Sequence, residues 1–283
     1  VRSRGLGDVY KRQSYGGMEI SSVDGAKNWE VTGEDENILC AYLEESLFPG
    51  EKITLNVCFL TKLAKINHRT GIGQKSINLG NFYPVLCAYL DGEFYECVYY
   101  SDGDPFVSEC ASYQVVLTVP KEYTVAATGK VTSEKTLESK KEYTMSASNV
   151  RDFAIVLSDC FEVAETKWKG VDIKYYYYND ETPAAHLAAA QEALEYYSAT
   201  FGAYPYDIYS VVQTGFCYGG MEFPALSLIS DALNEQNCVY TIVHETAHQW
   251  WYVAVGSNQV ENAWQDEGLT EYSAALFFEN HPD

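Results

Sequence analysis

His244-Glu245-Thr246-Ala247-His248-Gln249-Trp250-Trp251 lies in a stretch with helical spacing, from about Asn237 to Val255, that stops at Gly256. Residues four apart on a helix stand one above the other, so both imidazoles can reach a single zinc ion at about 2.0–2.1 Å. Glu245 lies between them, placed to take a proton from an attacking water. The bland alternative is two chance histidines on an amphipathic helix. Economy weakens it, because the chain has five histidines and spends two of them on one turn. Position weakens it further: eighteen residues follow His248, and then Glu267 opens another helix in Trp264-Gln265-Asp266-Glu267-Gly268-Leu269. Two histidines and a glutamate with an open fourth position form a catalytic zinc pattern rather than a closed structural one.

Upstream, the period is different. From about Ser14 to Tyr178 short runs alternate in twos between turn residues, clearest in Glu51 to Phe59, where Ile53, Leu55, Val57 and Phe59 share one face. Ile38 to Leu43, Tyr113 to Val119, Tyr123 to Ala127, Glu142 to Ser148, Phe153 to Leu157 and Val171 to Tyr178 are further strand candidates, making this an antiparallel β region. The run Tyr175 to Tyr178 reads as a strand buried on both faces. After Asn179-Asp180-Glu181 the spacing becomes helical, with Thr182 as cap, Pro183 in the first turn, and Leu187, Leu194, Tyr197 and Phe201 on one side up to Gly202. A domain boundary belongs there, and a last helix begins near Asp266 and passes Phe278.

Composition narrows the classes. With 283 residues, 47% of them hydrophobic, the chain can fill real cores. Its apolar runs fall far short of the roughly 20 residues that a spanning helix needs. A formal net charge of −21 repels a phosphate backbone, so nucleic acid is not an expected partner. Eight scattered cysteines without a Cys-x-x-Cys pair read as reduced core thiols, which inclines the compartment towards cytoplasmic or another reducing setting. Val1 to Gln13, basic in an acidic chain and similar to translated adapter sequence, is read as a non-native or disordered segment. Any signal peptide is expected upstream of that start.

His-Glu-Thr-Ala-His at 244–248, eighteen residues and then Glu267-Gly268 together resemble the gluzincin signature of M1-family zinc metallopeptidases of the aminopeptidase N-like, bacterial type. Gly219-Gly220-Met221-Glu222-Phe223 is similar to that family's Gly-x-Met-Glu-Asn exopeptidase motif, with Phe223 in place of Asn. Arg151-Asp152-Phe153-Ala154 and Tyr204-Pro205-Tyr206 also look like M1 segments. The resemblance implies an α+β chain, with a β-rich antiparallel N-terminal domain over 14–180 and the first part of a thermolysin-like catalytic domain over 181–283.

It further implies Zn2+ held by His244, His248 and Glu267, with Glu245 as general base. Glu222 is then expected on a strand edge of the same cleft, receiving the free N-terminus of a peptide substrate. The backbone of Gly219, Gly220 and Met221 is expected against that substrate. Glu271, one turn after Glu267, is a candidate to orient a ligating imidazole. Trp250 and Trp251 read as core, and His68, His186 and His281 as surface or packing residues. Tyr272 reads as packing rather than as the family's transition-state tyrosine, which is expected beyond Asp283. The sequence is thus expected to be cut at both ends, to expose Leu276, Phe277 and Phe278, and to be weakly active or inactive as given. The alternatives are an epoxide hydrolase/aminopeptidase of the leukotriene type and a non-catalytic β-domain fragment.

Overall fold

The computed structural model describes residues 16–33, 36–96, 104 and 107–281; Val1 to Gln13 and Cys97 lie outside them. The amino-terminal part is built from antiparallel sheets. Lys130–Thr136, Lys140–Val150 and Ala111–Pro120 form one, and Thr124–Ala127, Ile155–Ser158, Ile77–Leu79 and Thr70–Ile72 another. Their shared core holds Tyr143, Met145, Phe153 and Ile155. Two ribbons, Gly17–Asp24 with Asn56–Lys62 and Asn28–Thr32 with Ile38–Tyr42, complete the described antiparallel pairs of this region apart from a short hairpin at Tyr89–Leu90 and Glu93–Phe94.

The alternation in Glu51 to Phe59 places the strand too early. It begins at Asn56, and Ile53, Leu55 and Phe59 stay exposed because a two-stranded ribbon offers no second layer to bury one face. The same ribbon leaves Cys58 exposed, as are Cys110, Cys160 and Cys217. Among the described cysteines, all unpaired, only Cys238 is buried, so the core-thiol expectation holds for that residue alone.

A five-stranded mixed sheet carries the rest, in the order Glu162–Trp168, Val171–Tyr177, Ile208–Thr214, Leu226–Ser230 and Gly220–Phe223. Its first two strands come from the amino-terminal side of the expected boundary near residue 180. Alternation along Val171–Tyr177 sends Ile173 and Tyr175 to the helical side and Tyr176 to the opposite core, so this strand is covered on both faces. Helix α1 (Pro183–Phe201) and helix α2 (Glu235–Ala247) pack on one side, with helix α3 (Glu267–Asn280) against both.

Three local expectations are corrected. At the start of α1 the Thr182 side chain makes no capping bond. Asp180 does the work instead, accepting from the Thr182 amide at 2.8 Å and meeting His186 Nδ1 at 2.6 Å. Helix α2 ends at Ala247, well before Gly256, because the backbone loosens into five-residue turns (Val253 N–H to the His248 carbonyl at 3.1 Å, Val255 to Trp250 at 2.8 Å) and Tyr252 takes φ 105°. In α3, Phe277 is buried against Tyr196 and Tyr197 and Phe278 is half-covered, so their expected exposure is not found; Tyr272, expected to pack, is 63% exposed.

Candidate metal centre

His244 sits on the last turn of α2 and His248 at its C-cap, still with right-handed helical dihedrals, so the i, i+4 alignment survives to the helix end. Glu267 is the first residue of α3, delivered by a short 3-10 turn at Ala263–Gln265. His244 Nε2 lies 3.2 Å from His248 Nε2, and a Glu267 carboxylate oxygen lies 3.4 Å and 3.7 Å from the two nitrogens. Three donors about 2.0–2.1 Å from one tetrahedral ion stand about 3.3–3.4 Å apart, so the triangle fits zinc without rearrangement. The structure brings together all three residues that the sequence nominates.

Behind the ligands the two histidines are supported differently. His248 Nδ1 meets Asp266 Oδ1 at 2.8 Å, Thr270 Oγ1 at 3.0 Å and the Trp251 carbonyl at 3.1 Å, all in the interior. His244 Nδ1 faces one Glu271 oxygen at 3.2 Å. Asp266 was not foreseen; the only signal was its place beside Glu267, and its burial depends on how the loop turns.

Glu245 is buried on α2 and one of its oxygens has no partner. Gly220 runs directly against it, since a Cβ built there would land on the Glu245 carboxylate. Gly219 faces only Thr241 at ordinary distance, and Met221 is buried in the core beneath. Glu222 occupies the sheet's edge strand, which pairs with Leu226–Ser230 alone. Its carboxylate is buried with an unpartnered oxygen and converges with His248 and Asp266, and also with Asp104 and Glu267, with ligand-type atoms inside 4.8 Å. Phe223, where the M1 motif has Asn, turns the opposite way into the core, its ring against Gly80. Gln249 then ties α2 to this edge, accepting from the Ala225 amide at 2.8 Å and donating to the Phe223 carbonyl at 3.2 Å. Asp104 and Gln249 carry no sequence signal, because distant contacts define them.

Burial is the first influence on Glu222, Glu245 and Asp266, but not on Glu267. It raises Glu222 well above the ordinary carboxyl value against the pull of His248, and pushes Glu245 up to about 7 against His244 and His248. Asp266 is raised by burial, with His248 opposing. Glu267 goes the other way, lowered by hydrogen bonding to His244 and His248. Burial would lower both histidines, but the surrounding carboxylates outweigh it and raise them. Carboxyl groups desolvated in this way regain their charged form when a cation sits beside them.

Two helix-borne imidazoles, a buried glutamate between them and a carboxylate from the next helix converge beside a sheet edge as a candidate metal centre. Residues 185–283 match the model described as the Peptidase family M1 domain. An M1 zinc metallopeptidase from Deinococcus radiodurans superposes with a TM-score of 0.67 at 18% identity, covering 94% of this chain and 62% of its own. A glutamate-to-alanine mutant of the Deinococcus radiodurans M1 zinc metallopeptidase gives 0.69 at 18% identity with the same coverage. A two-domain M1 zinc metallopeptidase mutant bound to L-arginine gives 0.66 at 17% identity, again over 94% and 62%. The chain thus spans 62% of the length of these structures, and at this identity the likeness shows the fold. Among curated proteins nothing matches.

Proposed function

We propose that the protein is a zinc-dependent aminopeptidase that removes residues from the free N-terminus of peptides. The observation that carries the reading is the 3.2–3.7 Å triangle of His244, His248 and Glu267 with Glu245 and Glu222 in the same cleft. Zinc, when bound, supplies Lewis acidity and lowers the pKa of water towards neutrality. Glu245, desolvated and with a free oxygen, takes the proton of the attacking water and returns it to the leaving amine. Glu222 receives the substrate's α-ammonium, for which a buried carboxylate with an unused oxygen is a matched partner. Blocked N-termini offer no such charge and are disfavoured.

The test is hydrolysis of alanyl- and leucyl-anilides and their N-acetylated forms by the whole protein, with and without chelator. Hydrolysis confined to the free amines, lost on chelation and strongly weakened in Glu222→Ala, is the expected result. Equal rates on acetylated substrates would make the enzyme an endopeptidase, and chelator-resistant turnover would remove zinc from the account.

A further inference from the structure

The two ligating imidazoles are not held alike. His248 is locked by Asp266, Thr270 and a backbone carbonyl in the interior, whereas His244 has one carboxylate behind it, Glu271, whose side chain is 62% exposed. An exposed carboxylate four bonds from the backbone samples many rotamers and orients a neighbour poorly by itself. Glu271 is not left to itself. The Tyr240 hydroxyl donates to one of its oxygens at 2.6 Å, leaving the other, 3.2 Å from His244 Nδ1, to face the imidazole. The Tyr240 ring is fixed in turn, stacked on Phe278 at 5.6 Å and 6° and over His244 at 6.4 Å and 27°.

From this arrangement we infer that Tyr240 and Glu271 form a positioning pair that sets the His244 ring for metal capture, one residue four before His244 on α2 and the other four after Glu267 on α3. The inference rests on the zinc reading above. The pairing follows from helix spacing: Tyr240 and His244 share a face of α2, Glu267 and Glu271 share a face of α3, and the two faces meet. One turn of α3 then addresses Nε2 of His244 and the next addresses Nδ1. A carboxylate at Nδ1 keeps the proton on that nitrogen and the Nε2 lone pair towards the ion. Tyr240 touches neither ion nor substrate and acts through Glu271.

Zinc affinity by competition with a fluorescent chelator, together with the visible spectrum of the cobalt(II)-loaded chain, tests this on the parent, Tyr240→Phe, Glu271→Ala, Glu271→Gln, the Tyr240→Phe/Glu271→Ala double variant and His244→Ala. Glu271→Ala is expected to weaken zinc about 10- to 100-fold. Tyr240→Phe should weaken it about 3- to 10-fold in the parent and not at all in the Glu271→Ala background. Glu271→Gln, whose amide oxygen can take the place 3.2 Å from Nδ1, should recover part of the loss, and the cobalt spectrum should shift in Tyr240→Phe. An unchanged affinity in Tyr240→Phe, or the same loss in both backgrounds, overturns the pairing. Should His244→Ala also retain zinc, the metal assignment itself fails; its loss in His244→Ala alongside an unaffected Tyr240→Phe removes only the positioning role.

Discussion

Glu245 owes its properties to crowding: it is buried, one oxygen is unpartnered, and the Gly220 backbone closes one side. Gly220 is here because of that approach and not because of its dihedrals, which are not in the left-handed region. Gly220→Ala should therefore push the carboxylate from its seat while leaving the three ligands alone. A displacement of about 1 Å is worth roughly a hundredfold in rate, so turnover should fall by about that factor with zinc affinity unchanged. Glu245→Gln, which removes the base itself, should cost about 10²- to 10⁴-fold and also keep the metal. If Gly220→Ala turns over like the parent, the close approach has no part in catalysis.

At the scale of elements, the start of α1 shows how the Asp180 carboxylate replaces the expected cap. Burial alone would raise the Asp180 carboxyl, but His186 and the Thr182 amide bring it below its ordinary value. A folded pKa below the unfolded one stabilises above about pH 4 and loses that contribution as pH falls through the folded value. Asp180→Asn should thus cost about 1–3 kcal/mol at pH 7, and the gap to the parent should narrow below about pH 4 in denaturant melts. A gap that stays constant down to pH 2 would contradict this role for the Asp180 carboxylate. The edge strand offers a second test, since Phe223 is buried with its ring on Gly80. Phe223→Ala should destabilise by about 3–5 kcal/mol in the same melts, and a loss under 1 kcal/mol would show that the strand is anchored elsewhere.

The convergence of His244, His248 and Glu267 was legible because helix geometry converts a four-residue spacing into a shared face, and because Glu267 opens the following helix. The end of α2 was not, since Trp250 and Val253 continue the apolar spacing and are buried although the backbone has left the helix. Glu162–Trp168 escaped for the opposite reason: as an edge strand rich in Glu and Lys, it offers little apolar signal.

Across the whole molecule, the mixed sheet separates two cores and presents its far edge to α2, so His244, His248 and Glu222 are carried by one packed assembly. The antiparallel sheets contribute through Gly80 beneath Phe223 and through Arg151. Arg151 reaches the Val253 carbonyl at 3.2 Å just after α2, and its guanidinium fills the space above Gly256. Their packing therefore bears on the site without supplying a ligand. On the proposed function, what that assembly must do first is hold one ion. Zinc content by mass spectrometry, after dialysis against equimolar zinc, measures this directly for the chain and for His244→Ala, His248→Ala and Glu267→Ala. The account predicts one zinc per chain and less than about a tenth of that in each variant; a metal-free parent, or variants that retain the full complement, would contradict it.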